Sequence, residues 1–264
     1  MKAKVRGFEM AYEDTGGTQT PLLLIHGFPL DRTLWMTQIR GLSDVARVIA
    51  PDLRGFGESS VPTGIVTMDT YADDLRGLLD TLDLKHAVVG GRSMGGYIAF
   101  AFYRKYPHRV RGFILADTKP GPDSAEAQKG RDDSAALARS QGTSAVSEKM
   151  MPKMLTPKTV AERPAIAEAV RALMSRQPVE GVVGALAAMR DRPDSTPTLG
   201  QIAVPTLIVT GADDLLIPPK EAEAMRVAIP NAQLVSIPNA AHLSNCEQPD
   251  AFNKAVRDYL KSIA

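Results

Sequence analysis

The chain has 264 residues, of which 44% are hydrophobic and 23% are charged, and its formal net charge is +1. These values are typical of a globular protein with enough residues for a large core. The small net charge gives no electrostatic case for binding nucleic acid or an anionic membrane. The single cysteine, Cys246, excludes an internal disulfide.

The sequence carries no recognisable targeting, membrane or cofactor signal. The charged N-terminus, Met1 to Arg6, is not followed by an apolar run, so no signal peptide is predicted and a cytoplasmic location is expected. No apolar stretch approaches the ~20 residues of a membrane-spanning helix. The four histidines lack the paired spacing of a zinc site, and there is no phosphate loop or dinucleotide fingerprint. We therefore expect no metal and no cofactor.

Strand and helix patterns alternate up to Asp117 and resume at Val204. The first half predicts an edge hairpin at 3–14, strands at 22–26, 45–50 and 86–91, and helices at 32–40, 68–83 and 94–106. The second half predicts a strand from Val204, a helix at 219–228, a strand at 232–237 and a helix from Pro249. Such alternation indicates an α/β fold, with a mostly parallel sheet and helices on both faces.

The stretch between the two halves has a different character. Residues 123–192 are helix formers without a strand-like run, and four prolines divide them into about four short helices. Those prolines are Pro152, Pro157, Pro164 and Pro178. Because the segment follows a strand end, we expect it to form a helical cap above the edge of the sheet. The sequence thus predicts one domain, with a core at 1–119 and 198–264 and a cap at 120–197.

The segment Gly91-Arg92-Ser93-Met94-Gly95 lies where an apolar strand runs into a helical pattern. This arrangement predicts a serine on a sharp strand-to-helix turn, where a side chain at either glycine would collide with its neighbours. The turn would lift the Ser93 hydroxyl clear of the sheet and direct the first N–H groups of the helix, including that of Met94, at one point. Serine alone is a poor nucleophile, so the prediction requires a base and an orienting acid.

The candidate base is His242, which follows the predicted strand at 232–237 as Ser93 follows the strand at 86–91. Loops at the carboxyl ends of parallel strands converge on one edge of a sheet, so we expect these two side chains to meet. His86 begins the strand that leads to Ser93 and would lie at the opposite edge. The alternative for His242 is a hydrogen-bonded loop histidine without a catalytic role.

Three aspartates follow strand patterns and are candidates for the acid. Asp213 and Asp214 follow the strand from Val204, and Asp117 follows an apolar run that ends at Ala116. One of them should accept the imidazole N–H of the base and fix its tautomer. Adjacent aspartates point in different directions, so only one of Asp213 and Asp214 can do so. We prefer Asp214 and keep Asp213 and Asp117 as alternatives.

Four motifs resemble those of the α/β-hydrolase family, and the resemblance covers nearly all of the chain outside the cap. They are His26-Gly27-Phe28-Pro29, the D-x-R-G-x-G-x-S segment from Asp52 to Ser59, the elbow from Gly91 to Gly95, and Gly211-x-x-Asp214-x-x-x-Pro218 followed by His242. The resemblance implies a serine hydrolase in which Asp214 is the acid. It also implies an oxyanion hole formed by the backbone N–H groups of Phe28 and Met94.

Other residues of these motifs are expected to be structural. His26 should hold its loop through hydrogen bonds, while Asp52 and Arg54 should pair with each other and fix a turn. Three further apolar residues are candidates for the substrate pocket, with packing inside the protein as the alternative. They are Trp35, Met150 and Met154.

The elbow and the segment from Ala240 to Pro249 bear on the substrate. A serine nucleophile differs from the aspartate of the similar dehalogenases and epoxide hydrolases, so esters, lactones and related acyl compounds remain. The segment resembles both 3-oxoadipate enol-lactonases and compact carboxylesterases. An enol-lactone carries a carboxylate and would need a cation in the pocket. Arg92 is a candidate for that cation unless its side chain points beneath the helix.

Because the cap shows no clear acid-binding cluster, we predict a carboxylesterase for small acyl esters, with a lactonase as the alternative. A small-molecule receptor with slow or no turnover is the alternative of another class, since fold alone does not fix function. The expected partner is a small ester or lactone. The sequence does not distinguish a monomer from a homodimer.

Overall fold

The computed structural model describes residues 1–61 and 63–263 of the chain. Within these residues, eight strands form one sheet in the order β1-β2-β4-β3-β5-β6-β7-β8. The strands are β1 (Lys2–Val5), β2 (Phe8–Asp14), β3 (Pro21–Ile25), β4 (Arg47–Pro51), β5 (Ala87–Arg92), β6 (Val110–Ala116), β7 (Thr206–Gly211) and β8 (Ala232–Ile237). Strand β2 is antiparallel to β1 and β4, and all other pairings are parallel. The carboxyl ends of β5, β7 and β8 therefore open on one edge of the sheet.

Helices follow most strands in the described residues. The α-helices are α1 (Met36–Leu42), α2 (Met68–Thr81), α3 (Met94–Lys105), α4 (Ala125–Gln141), α5 (Thr143–Met150), α6 (Pro157–Glu162), α7 (Pro164–Ser175), α8 (Val179–Arg190), α9 (Pro219–Ala228), α10 (Ser244–Glu247) and α11 (Pro249–Ser262). Short 3₁₀ helices occupy Arg32–Trp35, Pro107–Arg109, Met151–Lys153 and Thr196–Gln201. Helices α4 to α8 lie between β6 and β7 in the chain and form the cap.

Both faces of the sheet are covered, as the alternation of strands and helices predicts. In β3, Leu23 and Ile25 belong to a core cluster that includes residues of α2 and α3. The alternate residues Leu22 and Leu24 belong to a second cluster, with residues of α1 and α11. Successive side chains of a strand point to opposite faces, so the central strands are apolar along their whole length. The sheet is thereby a rigid support for the loops at its edge.

The predicted fold class, an α/β-hydrolase with a mostly parallel sheet, is confirmed, and the predicted helix at 219–228 and strand at 232–237 match α9 and β8. The predicted number of cap helices is wrong. The cap contains five α-helices because Gly142, whose φ is +80°, separates α4 from α5. Proline positions alone missed this break, since a left-handed glycine interrupts a helix as effectively as a proline. None of the described helices is long and apolar enough to span a bilayer.

Candidate active site

Ser93 lies on the turn between β5 and α3. Its φ of +51° and ψ of −116° are strained for a residue with a side chain. The Ser93 N–H donates to the carbonyl of Ala116 at the end of the neighbouring strand β6, over 2.9 Å. The residue as a whole is 8% exposed. The strand pairing and the first turn of α3 therefore fix the serine from both sides.

The two flanking glycines make this turn possible because backbone atoms crowd both positions. A Cβ atom on Gly91 would lie 2.2 Å from the carbonyl oxygen of Gly95. A Cβ atom on Gly95 would lie 2.3 Å from the carbonyl oxygen of Ile25, in β3. Backbone cannot yield as a flexible side chain does, so only glycine fits at either place.

The structure brings Ser93, His242 and Asp214 into one hydrogen-bonded series. The Nε2 atom of His242 lies 3.0 Å from the Ser93 Oγ atom. The Nδ1 atom of His242 lies 2.8 Å from the Asp214 Oδ2 atom. With the proton on Nδ1, the imidazole donates to Asp214 and leaves Nε2 free to accept the serine proton. The three residues come from the ends of β5, β7 and β8, as the sequence predicts.

Asp214 and Asp213 have different surroundings. The second carboxylate oxygen of Asp214 accepts the backbone N–H groups of Leu216 and Ile217, at 2.8 and 2.9 Å. Asp214 is buried, whereas Asp213 is exposed and contributes its backbone N–H to the carbonyl of Ala240. The geometry therefore favours Asp214 over Asp213 as the partner of His242.

The electrostatic surroundings favour the neutral form of His242. Burial is the larger cause, because an imidazolium loses its hydration inside the protein. The positive charge of Arg92 acts in the same direction, and together they lower the pKa of His242, although Asp214 opposes them. A neutral imidazole is the form that can accept a proton. The surroundings of His242 thus favour the form that a general base requires.

The backbone N–H groups of Phe28 and Met94 are available to an oxygen of the substrate. Met94 is the first residue of α3, and the first N–H groups of a helix have no intrahelical acceptor. Neither N–H donates to an acceptor in residues 1–61 or 63–263. Phe28 borders the same cavity as Ser93. Two unpaired donors beside the hydroxyl match the requirement for stabilising a developing oxyanion.

Asp117, the alternative acid, contacts other groups than His242. Its two oxygens accept the N–H of Gly211 over 2.8 Å and the Oγ–H of Ser244 over 2.7 Å. Burial raises the pKa of Asp117 to about 7. Gly211 ends the strand that leads to Asp214, and Ser244 lies two residues after His242. Asp117 therefore ties the acid loop to the base loop from below.

The structure places Arg92 beneath the turn rather than in the cavity, which removes it as a contact for a substrate carboxylate. The guanidinium is fully buried, and its Nε atom lies 3.7 Å from the Asp117 Oδ2 atom. None of its three nitrogens has a hydrogen-bond partner among the described residues. The side chain before the nucleophile points away from the hydroxyl because successive residues at a strand end face opposite sides.

A cavity of about 400 Å³ contains the Ser93 hydroxyl between the core and the cap. Met150 lines it, as predicted. Trp35 and Met154 do not, and both are buried in the core cluster that contains Leu22 and Leu24 of β3. The Trp35 ring lies 6.1 Å from the ring of Phe252, centroid to centroid. Apolar character alone could not distinguish a pocket residue from a core residue.

One buried carboxylate fastens the cap to the base loop. The Oε1 atom of Glu247 accepts the N–H and the Oγ–H of Thr156, each over 2.8 Å, at the start of α6. The Oε2 atom accepts the N–H of Ala241, over 2.6 Å, beside His242. Sequence reasoning assigned no role to Glu247 because it lies outside the four motifs that resemble those of the family. The same side chain thus holds both the cap and the base.

The sequence profile of the alpha/beta hydrolase fold family matches residues 20–249. The chain belongs to this family. It is 45% identical to a thermophilic esterase from Thermogutta terrifontis, with a TM-score of 0.97 and coverage of 100% of this chain and 99% of the other. It is 30% identical to an enol-lactonase from Burkholderia xenovorans LB400, with a TM-score of 0.92 and coverage of 99% and 100%.

A curated relative is also a hydrolase. The chain is 30% identical over 251 residues to 3-oxoadipate enol-lactonase 2 from Acinetobacter baylyi, which is 95% of this chain and 92% of that protein. By family and relatives, the chain is a hydrolase of the alpha/beta hydrolase fold. The similar proteins include both esterases and lactonases, so they leave the class of ester bond open.

Two further motifs of the alpha/beta hydrolase pattern have the structural roles expected, with one correction. His26 lies between the carbonyl of Gly27, 2.9 Å from Nδ1, and the N–H of Leu53, 3.0 Å from Nε2. Asp52 and Arg54, however, do not pair with each other. Asp52 pairs with Arg32, and Arg54 pairs with Asp74 of α2. Spacing in the sequence suggested a local pair, whereas both partners are distant in the chain.

Proposed function

We propose that this chain is a serine hydrolase that cleaves small carboxylic esters through an acyl-enzyme. The Ser93 Oγ atom attacks the carbonyl carbon while His242 accepts its proton at Nε2, and Asp214 holds the resulting imidazolium. The carbonyl oxygen becomes an oxyanion that accepts hydrogen bonds from the N–H groups of Phe28 and Met94. The tetrahedral intermediate then expels the alcohol, which takes the proton from His242.

The second half of the reaction uses the same groups with water in place of the serine. His242 removes a proton from water, which attacks the acyl-Ser93 carbonyl. Collapse of the second intermediate returns the proton to the Ser93 oxygen and releases the acid. The sum is one ester and one water converted to one acid and one alcohol. No group outside the chain is required.

The single observation that carries this proposal is the unbroken series of contacts from Ser93 Oγ to His242 Nε2 and from His242 Nδ1 to Asp214 Oδ2, at 3.0 and 2.8 Å. A serine without a catalytic role does not require a buried histidine beside it, and a histidine that only stabilises a loop does not require a buried carboxylate. Their coincidence beside two free N–H donors supports acyl transfer. The similarity to the Thermogutta esterase supports esters as the first substrates to test.

Lactone hydrolysis is the second candidate function. The observation that favours it is the 30% identity to two enol-lactonases over nearly the whole chain. A lactone is a cyclic ester, so the same residues would open it to a hydroxy acid or its tautomer. The Thermogutta esterase was solved with malate bound, which adds small carboxylates to the ligands worth testing here.

The test compares the parent with Ser93→Ala on p-nitrophenyl esters from acetate to palmitate, simple lactones and 3-oxoadipate enol-lactone. We expect the substitution to lower kcat by roughly four orders of magnitude or more, because it removes the attacking atom. Ser140→Ala, an exposed serine on cap helix α4, is the matched control and should retain parental rates. Circular dichroism checks that both variants fold.

The panel separates the candidate functions. A parental rate that peaks at short acyl chains identifies a carboxylesterase, and a strong preference for the enol-lactone identifies a lactonase. Residual activity within tenfold of the parent in Ser93→Ala would exclude Ser93 as the nucleophile. An inactive parent whose serine is not labelled by a fluorophosphonate would indicate a receptor without turnover.

A further inference from the structure

We infer that the substrate of this cavity carries a carboxylate at a distance from the reacting ester, and that Lys119 and Lys153 bind it. The inference rests on the proposed function, since it assigns the substrate class of the same cavity. It also supplies the cation that the buried Arg92 does not provide.

The first step is the charge on the cavity wall. Among the described residues that line the cavity, the charged ones are Lys119, Asp123, Arg131 and Lys153. Three are cationic and one is anionic, so the wall has an excess of positive charge. A low-dielectric cleft lined by one sign of charge raises the local concentration of the opposite sign.

The second step is that the single carboxylate in this set is already engaged. Asp123 accepts hydrogen bonds from Arg131 Nε over 2.9 Å and from Arg192 Nη1 over 2.7 Å. Burial would raise the pKa of Asp123, but these two guanidinium groups outweigh it and hold the pKa below its usual range. The trio of one aspartate and two arginines keeps a positive charge, and each Asp123 oxygen already accepts a hydrogen bond from an arginine.

The third step is that both lysines lack a partner. Within residues 1–61 and 63–263, the lysine side chains that donate a hydrogen bond or lie within 4.0 Å of a carboxylate oxygen are those of Lys2, Lys105, Lys129, Lys149 and Lys254, and neither Lys119 nor Lys153 is among them. Lys119 follows β6 on the core side and is half-buried, whereas Lys153 is exposed and ends the 3₁₀ helix Met151–Lys153 of the cap. An ammonium group partly removed from water gains from an anion beside it.

The rest of the cavity wall is largely apolar. It is formed by side chains of the cap and of the acid loop, including Val146, Met150, Leu186, Met189 and Ile217. Such a surface fits methylene groups rather than further polar atoms. The substrate class is therefore an ester or lactone joined through a short hydrocarbon spacer to a carboxylate.

The test uses pairs of esters that differ in charge but not in size. Monomethyl adipate is compared with methyl adipamate, its neutral primary amide, to place the charge on the acyl side. The 4-acetoxybutanoate ion is compared with 4-acetoxybutanamide to place it on the alcohol side. We expect kcat/KM to be about tenfold or more higher for the charged member of at least one pair, as for a charge-assisted hydrogen bond against a neutral one.

Variants then assign the preference to the two lysines. Lys119→Met and Lys153→Met keep a long side chain and remove the charge, and each should lower the charge preference about threefold or more, since a single ammonium remains. Lys119→Arg should restore most of it. Lys129→Met is the matched control, because Lys129 lies on cap helix α4, pairs with Asp133 and does not line the cavity.

The outcomes are distinct. Charged and neutral esters turned over within twofold of each other, by a Ser93-dependent reaction, would overturn the inference and leave the proposed function standing. A preference that survives both lysine substitutions would overturn the assignment to Lys119 and Lys153. Equal loss of activity on charged and neutral members would mean a structural role and would overturn it also.

A binding measurement keeps the inference testable if no ester is turned over. Calorimetric titration of Ser93→Ala with monomethyl adipate and with methyl adipamate reads the charge preference without chemistry. The inference is supported if the anion binds more tightly than the amide and if Lys119→Met weakens binding of the anion. Salt at 0.5 M should also weaken binding of the anion, because it screens exposed charges. Equal affinity for both compounds overturns it, whatever the fate of the proposed function.

Discussion

The core and the cap contribute to the same cavity in different ways. On the core side, Ser93, His242 and Asp214 are buried, and each is bonded to the next or to backbone N–H groups. On the cap side, Lys153 is exposed and has no partner among the described residues. The side chains of the core wall are held in place by hydrogen bonds, whereas the cap wall has a positive charge that is available to a ligand.

This difference suggests that different residues of the cavity control the rate of reaction and the choice of substrate. Groups that transfer a proton must keep their distances within a few tenths of an ångström, which requires rigid strand ends and satisfied neighbours. Groups that select a substrate need only complementary shape and charge, so they can lie on short helices joined by glycine and proline. We therefore expect substitutions of the hydrogen-bonded core residues to affect rate or folding. Substitutions of the unpaired lysines, Lys153 of the cap and Lys119 on the core side, should affect substrate preference.

The largest effect is expected at the acid, where two adjacent aspartates provide a matched pair. Asp214→Asn keeps the oxygen that accepts the N–H groups of Leu216 and Ile217 but presents an amide N–H to His242. The imidazole must then carry its proton on Nε2 and cannot accept that of Ser93. We expect kcat to fall about 10³- to 10⁴-fold, while Asp213→Asn stays within a few-fold.

Steady-state rates on one activated ester, with folding checked by circular dichroism, measure this ranking. A larger loss in Asp213→Asn would move the acid by one residue. If both variants were as active as the parent, the expectation that core-wall residues control the rate would be wrong.

A second pair of variants compares glycines of the two walls. A methyl group on Gly95 would meet the backbone of β3, so Gly95→Ala should destabilise the fold by about 3 kcal/mol. Gly130, within cap helix α4, has open space around its Cα atom, with nothing within 4 Å of an added Cβ. Gly130→Ala should stabilise the fold by about 0.5–1 kcal/mol, because alanine favours the helix.

Urea unfolding followed by tryptophan fluorescence measures both free energies. The comparison between rigid core and tolerant cap fails if the two substitutions destabilise equally, or if Gly95→Ala has the stability of the parent.

The smallest effect is expected in the pH dependence of Arg92→Met. His242 must be neutral to act as the base, and Arg92 helps to lower its pKa. In the parent, activity should therefore persist below the ~6.5 of an unperturbed histidine. Without the guanidinium, the pKa of His242 rises and the acid limb of kcat/KM moves to higher pH.

Arg92→Lys keeps the positive charge and should leave the acid limb of kcat/KM near its parental position. Arg104→Met, on the surface of α3, removes one positive charge far from this turn and serves as the control for net charge. A limb that stays in place or moves to lower pH in Arg92→Met would show that Arg92 does not lower the pKa of His242.

The core wall was predictable because a parallel sheet imposes its geometry on the sequence. Ser93, Asp214 and His242 each follow an apolar strand, and the ends of parallel strands must meet. The strand-end position of Asp117 was equally visible, yet its hydrogen bonds to Gly211 and Ser244 were not. Position along a strand predicts which edge a residue occupies but not which neighbour its side chain contacts.

The cap wall was less predictable because helices do not fix their own orientation. Helix formers and prolines indicated helices, but not the break at Gly142 or the face that each helix turns to the cavity. Met150 lines the cavity and Met154 is buried elsewhere, although they lie only four positions apart in the sequence. Lys153 of the cap, like Lys119 on the core side, cannot be distinguished from a surface lysine by its sequence alone.

The double attachment of Glu247 has a consequence for exchanging caps between family members. Its carboxylate accepts hydrogen bonds from Thr156 of the cap with one oxygen and from Ala241, next to His242, with the other. Replacing the cap therefore changes the contacts of a side chain that also holds the loop of His242. A foreign cap must offer an N–H and a hydroxyl at the position of Thr156. Without them, a buried carboxylate loses two donors beside His242, and a chimaera designed to change selectivity would lose its base geometry instead.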